Sequence, residues 1–575
     1  MTLFCANPDD VKDVVYTMRY DEASARFGIF GPSSWAWSPS PPRCSGAWGS
    51  TPMAELTAKL AQADPDGAAL VDEYGATTWA ALDDRTNRAV EALRGLGLGD
   101  HDTIALMSGN RREFFEVFAA AGHGAWTVVP VNWHWVAEEL AYVIENSGST
   151  ALVVDERFLD VALEARSDPR AAACAHWIVL GADPATTLPE GFTGWEDLLA
   201  GASGDEPGSQ AMGGPMFYTS GTTGFPKGVR TSLSATGAPC AVLELIAHSF
   251  TDMLGLPVGG TSLLVGPAYH SAQWVFSVFP LLRGSTVVMR HRFDACETLE
   301  LIDAHGVTNL HLVPTQMIRM LQLPAGERQR FDGSSLRVAF HGAAPCPDRV
   351  KREMLEWWGP VLSEYYGGTE GGFLTMIGGQ EWLEHPGSIG RPVSNVELKV
   401  LDDEGAEAPP GEPGQIWFRS LLGVDFEYHA DAEKTEAAHR EGWGTLGDVG
   451  HVDPDGYLYL SDRRIDMIIS GGVNIYPAEI EQVLHDHPAV ADVAVFGVPD
   501  EEMGESVAAA VELEEPDRAG DAMREELTGH VRHHLAGYKV PRLVEFHEEL
   551  PRTGTGKLLK RELREPHWAD TGRSI

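Results

Sequence analysis

Long apolar runs, paired cysteines and positive charge are all scarce in this chain of 575 residues. No stretch approaches the roughly 18 consecutive apolar residues that a membrane helix needs, so stable membrane insertion is not expected. No basic segment followed by an apolar one opens the chain, so no secretory signal is read and a cytoplasmic location is expected. The six cysteines (5, 44, 174, 240, 296 and 346) are scattered without a C-x-x-C pair. Neither a disulfide framework nor a zinc site is encoded. Basic residues number 43 against 84 acidic ones, a formal charge of −41. Such a field repels nucleic acid and anionic lipid, which excludes both as expected partners. It suits a highly soluble surface. An anionic ligand would need strong local donors to overcome it. No fixed-period repeat is present.

What is there reads as layered structure. The hydrophobic share of 43% is that of a globular protein, and the length allows roughly two to four domains. Residues 1–52 stand apart: "FGIFGPSSWAWSPSPPRCSGAWGS" is rich in Pro, Ser, Gly and Trp without periodicity. They are expected to be a disordered leader or a mis-assigned start, with Met53 as the true one. From there, "ALVDEYGATTWAALDDRTNRAVEALRGLGLGDHDTIALM" reads strand, helix, Gly stop, strand, and "FFEVFAAAGHGAWTVVPVNWHWVAEELAYVIENSGSTALVV" repeats helix, strand, helix, strand. Strands alternating with helices imply α/β layers around largely parallel sheets. The texture changes near residue 450, where "VGHVDPDGYLYLSDRR" reads as a hairpin turning at Asp453-Pro454-Asp455-Gly456. The expected fold is a large N-terminal α/β domain with a β-rich subdomain, residues 53–462, and a small α+β C-terminal domain, residues 467–565. A hinge at 463–466 joins them, and 566–575 form a tail.

The stretch "YTSGTTGFPKGVR", Tyr218 to Arg230, holds three Gly, three Thr and a Lys. Small residues let backbone N–H groups approach an anion, hydroxyls add donors, and Lys227 adds charge. By composition it is either a phosphate-holding loop or a surface turn. It is not a Walker A loop. "GTGK" at 554–557 also fails that pattern, because Leu558 follows the lysine.

Position by position, however, "YTSGTTGFPKG" resembles the signature of the adenylate-forming superfamily of acyl-CoA synthetases, adenylation domains and luciferases. Its companion motifs follow in order: "GPAYHSAQW" (266–274), "HGAAP" (341–345), "YYGGTEGG" (365–372), "GWGTLGDVG" (442–450), "YLSDRRIDMIISGG" (459–472) and "PRTGTGKLLKREL" (552–563). The likeness is greatest to AMP-forming fatty-acyl-CoA ligases. It implies ATP, a carboxylic acid and CoA as substrates, and Mg²⁺ as cofactor. It implies that Thr219, Ser220, Gly221, Thr222, Thr223, Gly224 and Lys227 hold phosphates, and that Gly342, Ala343, Ala344, Tyr366 and Gly367 line the adenine. Asp448 and Arg463 would bind ribose, Thr369 the α-phosphate, and Glu370 the Mg²⁺. His270 would flank the acyl group, and Lys557 would be the catalytic cation. Ile465 falls at the hinge; Ser470, Gly471 and Gly472 would line the CoA channel.

These roles are chemically coherent. Attack of a carboxylate on a polyphosphate brings two anions together, so catalysis is positioning and charge stabilisation. Glu370 is a hard oxygen donor suited to Mg²⁺. Apolar "HSAQWVFSVF" and "LVPTQMIRML" suggest an acyl pocket with Trp274, Val313 and Gly371, which favours a hydrophobic acid. Two departures stand out: Ile465 replaces the family's usual Asp or Lys at the hinge, and Leu446 takes a position in "GWGTLGD" where a ribose donor is lost. His530, His533 and His534 share a helix and are read as a solvated face rather than a metal site. "NWHW" (132–135) is read as packing or an interdomain contact. The leading reading is an acyl-CoA ligase. A carrier-protein, amine or other acceptor, or a catalytically silent nucleotide-binding protein, are the alternatives. The protein would be a monomer or a homodimer.

Overall fold

The strand Thr103–Met107 buries all five of its residues, as happens where both faces of a sheet are covered. In the computed structural model, residues 56–182, 187–219, 226–343, 346, 348–402, 404–412, 414–463, 468–475, 477–551 and 560–569 are described. Thr103–Met107 lies within a six-stranded parallel sheet, in the order Phe192–Gly194, His176–Leu180, Ser149–Asp155, Thr103–Met107, Thr127–Pro130, Gly214–Pro215. A nine-stranded sheet runs Arg391–Pro392, Gly372–Gly378, Leu362–Gly368, Val338–His341, Asn309–Leu312, Thr261–Leu264, Thr286–Met289, Ala68–Asp72, Gly75–Thr78. Its centre is parallel and its edges are antiparallel.

Alternation along the strands shows how these sheets stack. Ile104 and Leu106 enter one core, while Ala105 and Met107 enter another. In the nine-stranded sheet, Leu264, Val287 and Met289 join the first of those cores, whereas Leu263 and Val288 face a third. One core is therefore shared by the two sheets. Helices Trp79–Gly95, Arg112–Gly124, Cys240–Met253 and Ser271–Leu282 fill it. Helices Ala137–Ser147 and Leu159–Arg166 cover one outer face, and Ala295–His305 and Asp348–Trp358 the other. The result is an αβαβα stack, the layered α/β arrangement the strand–helix alternation predicts. The local pattern hides one thing: Ala68–Asp72 pairs with Thr286–Met289, whereas Thr103–Met107, three elements later, belongs to the other sheet. Long-range pairing, not chain order, decides the partner.

β-rich material follows. Strands Val396–Leu401, Gly414–Ser420, His439–Arg440, Trp443–Gly444, Asp448–Val452 and Leu458–Arg463 form an antiparallel sheet. Its last pair is the hairpin read at Asp453-Pro454-Asp455-Gly456. The Asp453 carboxylate accepts from the N–H groups of Asp455 and Tyr457, and Gly456 takes a φ of +86°. Beyond residue 467, Ile468–Ser470, Val473–Ile475, Val490–Asp500, Gly504–Leu513 and Leu543–His547 make a five-stranded sheet, covered by Pro477–His485 and Asp521–His534. Among the described residues, no helix is long and apolar enough to cross a membrane.

Candidate active site

Four neighbouring strands of the nine-stranded sheet, Thr261–Leu264, Asn309–Leu312, Val338–His341 and Leu362–Gly368, end on one rim. Their carboxyl ends run directly into 266–270, Val313, Gly342-Ala343 and Thr369-Glu370. Parallel α/β sheets bind ligands outside such ends, so chain segments far apart in sequence meet by topology. Ala343 has a φ of +66°, and a Cβ on Gly342 would stand 2.8 Å from the Tyr365 ring. The bend after Val338–His341 needs a small residue there.

Several expected site residues are in direct contact. The Tyr366 hydroxyl donates to Asp448 Oδ2 at 2.7 Å, and both residues are buried. Asp448 pairs across the hairpin with Arg463, so the two expected ribose-binding positions are cross-strand neighbours. Ser271 and Thr369 share a hydroxyl–hydroxyl hydrogen bond of 3.0 Å. His270 sits at the N-terminal boundary of helix Ser271–Leu282, and burial pushes its pKa down to about 4, which keeps the imidazole neutral. Leu446 packs over Gly368, its Cδ1 3.2 Å from where a Cβ would be. The residue that departs from the family pattern contributes packing at this point.

Lys227 and Thr219 face each other at the mouth of a strand pair. Lys227 Nζ is 2.9 Å from Asp431 Oδ2, and that bond holds the Asp431 pKa low. Asp431 Oδ1 in turn accepts from the Lys434 backbone N–H at 3.0 Å, capping helix Ala432–Ala437. Lys434 Nζ lies 4.0 Å from the centroid of the Tyr428 ring, whose hydroxyl donates to Glu370 Oε1 at 3.0 Å. Burial, then the like charge of Lys227, lowers the Lys434 pKa to about 8. Tyr428, Asp431 and Lys434 were not singled out in the sequence. Their one local signal is the D-x-x-K spacing of a short helix cap.

The expected acyl-pocket residues fall in different surroundings. Trp274 is buried against Phe118, Phe217 and Phe279, with ring centroids 5.4, 5.9 and 5.3 Å away. It lines an apolar cavity with Leu56, Phe115, Phe118, Leu243 and Val278. Val313 instead meets Gly472, where a Cβ would lie 3.1 Å from the valine Cβ. Gly371 abuts Phe418, and Gly367 lies so close to the Gly372 carbonyl that a Cβ would be 1.8 Å from it. Ser470 is buried, while Gly471 and Gly472 take φ of +59° and +78°. Ser220, Gly221, Thr222, Thr223, Gly224, Ala344, Ile465 and Lys557 lie outside the described residues, as does the side chain of Arg463. Lys560 Nζ is 2.6 Å from Glu481 Oε1.

A second polar centre joins helix Ala137–Ser147 to the chain beyond residue 467. Lys539 Nζ is 2.6 Å from both Glu139 Oε1 and Glu479 Oε1, and each of the three side chains is at most 1% exposed. Burial and the neighbouring Glu139 charge push the Glu479 pKa up to about 7 despite Lys539. Around it, Asn132 donates to the Tyr538 hydroxyl at 2.9 Å, and His534 Nδ1 is 2.8 Å from Glu138. The "NWHW" stretch is thus a contact to this part of the chain. His530 reaches the Val483 carbonyl at 3.1 Å rather than facing solvent throughout. Among the described residues no cluster of His, Cys, Asp and Glu is arranged to hold a metal ion.

Comparison with known proteins accords with this geometry. Residues 57–423 match the AMP-binding enzyme family and residues 479–557 the AMP-binding enzyme C-terminal domain. A fatty acid–acyl-carrier-protein ligase of Streptomyces coeruleorubidus is 30% identical over 529 residues, covering 91% of this chain and 98% of that protein. A long-chain-fatty-acid–CoA ligase of Mycobacterium tuberculosis is 34% identical over 505 residues, covering 86% and 93%. Among solved structures, a double mutant of the o-succinylbenzoate CoA synthetase of Bacillus subtilis, bound with a product analogue, has a TM-score of 0.74 at 28% identity, covering 89% of this chain and 98% of that one. The same synthetase in complex with AMP gives 0.61. With the sheet rim, the Tyr366–Asp448 contact and both family regions in place, the chain belongs to the AMP-binding enzyme family of adenylate-forming acid ligases.

Proposed function

We propose that this ligase activates a hydrophobic, fatty-acid-like carboxylic acid as an acyl-adenylate and transfers the acyl group to CoA, releasing AMP and pyrophosphate. The observation that carries the reading is the convergence of Gly342, Thr369, Glu370 and, through Tyr366, Asp448 at one sheet rim. In the first step a carboxylate oxygen attacks the α-phosphorus, the bond to the β-phosphate bridging oxygen breaks, and the electron pair leaves with pyrophosphate. Tyr366 lies against the adenine and orients Asp448 toward the ribose hydroxyls; Thr369 donates to the α-phosphate; Lys227 holds the outer phosphates. Glu370 offers a hard carboxylate oxygen, held by Tyr428, that fits Mg²⁺, which when bound neutralises phosphate charge. Lys557 supplies the cation at the transition state. His270, kept neutral by burial, flanks the acyl group without adding charge.

For the second step, residues 53–462 and 467–565 act as two domains about a hinge at 463–466, with Ile465 in it. The contact of Gly472 with Val313 supports a pantetheine passage along Ser470–Gly472. The higher similarity to a product-analogue complex than to an AMP complex of one synthetase supports the same arrangement. The relatives that activate fatty acids favour an apolar acid. A carrier-protein thiol as acceptor is the second reading, favoured by the relative that loads an acyl-carrier protein. The protein works in the cytoplasm, as a monomer or homodimer.

A carboxylate panel with ATP and Mg²⁺, with and without CoA, followed for AMP and thioester, tests this. AMP release on no acid would refute the reading; AMP without thioester would favour another acceptor. Lys557→Ala is expected to slow adenylation by about 10²–10³ while still converting supplied acyl-adenylate to thioester. Equal loss of both half-reactions would contradict the two-domain mechanism.

A further inference from the structure

Two ammonium groups lie close together beside Glu370, and of the two only Lys227 is hydrogen-bonded to a carboxylate. Lys227 Nζ is paired with Asp431 at 2.9 Å. Among the described residues, no carboxylate hydrogen-bonds the Nζ of Lys434, which rests on the Tyr428 ring at 4.0 Å. We propose that Lys434 is a second phosphate-binding cation of the active site, which with Lys227 holds the pyrophosphate portion of ATP and stabilises it as it departs. The inference rests on the AMP-forming reading above and assigns a residue that the sequence motifs leave out.

Three features of the geometry support it. Asp431 links both lysines through different oxygens: Oδ2 takes the Lys227 ammonium, and Oδ1 takes the Lys434 backbone N–H. That fixes where the Lys434 side chain starts while, among the described residues, no carboxylate hydrogen-bonds its ammonium. Tyr428 then ties Lys434 to the rim, with the ammonium on its ring face and the hydroxyl on Glu370. Finally, a half-buried cation facing a like charge is an unfavourable arrangement in the empty protein. A polyanion between the two lysines relieves the repulsion and replaces lost hydration with charge-assisted hydrogen bonds. Because the negative charge shifts onto pyrophosphate as the α–β bond breaks, a cation placed there stabilises the transition state more than bound ATP. In a chain of net charge −41, local cations of this kind are what an anionic nucleotide needs.

The experiment compares wild type, Lys434→Met and Lys434→Arg on an acid identified by the panel. Lys434→Met should raise the KM for ATP and the inhibition constant of pyrophosphate by about 10-fold or more, the value of one charge-assisted hydrogen bond. Lys434→Arg should stay within about 3-fold. Inhibition by AMP and thioester formation from supplied acyl-adenylate should be unchanged in both. Unchanged pyrophosphate inhibition in Lys434→Met, or equal losses for AMP and pyrophosphate, would overturn the proposal in favour of a packing role. Should the Met variant not fold, amine acylation of wild type followed by peptide mass spectrometry gives the same decision. Mg²⁺-pyrophosphate should protect Lys434 at least several-fold and AMP should not; equal labelling refutes it. That readout needs no turnover, so failure of the acyl-ligase reading and failure of this assignment are told apart.

Discussion

Two of the places where lysines meet carboxylates, the seam at Lys539 and the sheet rim at Lys227, differ in how completely the charges are answered. At the seam, Lys539 sits between Glu139 and Glu479 with at most 1% of any side chain exposed. Burial opposes its charge, but the two carboxylates outweigh that and raise its pKa. At the sheet rim the Lys227–Asp431 pair is 11% and 32% exposed, and the Lys434 ammonium rests on an aromatic face with, among the described residues, no carboxylate hydrogen bond. A cluster closed by its own chain holds two segments together. One left open toward solvent is prepared for a ligand that brings the missing charge.

The comparison breaks most forcefully at the seam. Lys539→Met leaves buried Glu139 and Glu479 without their shared cation, and removing one partner of such a group typically costs about 3–5 kcal/mol. Denaturant unfolding should show a loss of that order. A loss under about 1 kcal/mol would mean the seam opens and hydrates freely. The rim should respond the other way. Asp448→Asn removes the charged acceptor proposed to hold ribose and should raise the KM for ATP by about 10–100-fold, with a smaller change in unfolding midpoint than Lys539→Met. The reverse ranking would make Asp448 a structural residue.

The smallest effect is on pH dependence. In the folded protein the Glu479 carboxyl keeps its proton up to about pH 7, against an ordinary glutamate value of 4.5. Between those values the native state binds more protons than the unfolded chain, so this group's contribution is full below about pH 4.5 and is lost as pH rises toward about 7. Glu479→Gln should flatten that slope. The difference in unfolding free energy between wild type and variant, measured across this range, should decline with rising pH; a constant difference would show that Glu479 ionises normally.

The rim was the more legible of the two in sequence, for a physical reason. Close approach to phosphates and sugar needs small residues, hydroxyls and specific charges at fixed spacing, so "YYGGTEGG" and "GWGTLGDVG" carry their chemistry locally. The hairpin at Asp453–Gly456 was legible likewise, because turn chemistry is local. Lys434 was not: its interest comes from Tyr428, Lys227 and Glu370, and only the last two sit in motifs. Trp274 and Val313 were both read as acyl-pocket residues, yet one lies in the core between the sheets and the other against Gly472. Spacing along an apolar segment does not say which wall of which cavity a side chain lines.

The sequence by itself determined the class of fold, the family and the order of its motifs, since strand–helix alternation and ligand-shaped loops are written in adjacent residues. Only the tertiary structure decided that one helical layer serves two sheets, that Asp448 leans on Tyr366, and that Glu139, 400 residues from Lys539, closes a buried charge cluster. Those facts depend on which distant segments pack together. Burial, which turns an ordinary Lys or Glu into a costly or poised one, exists only after they have done so.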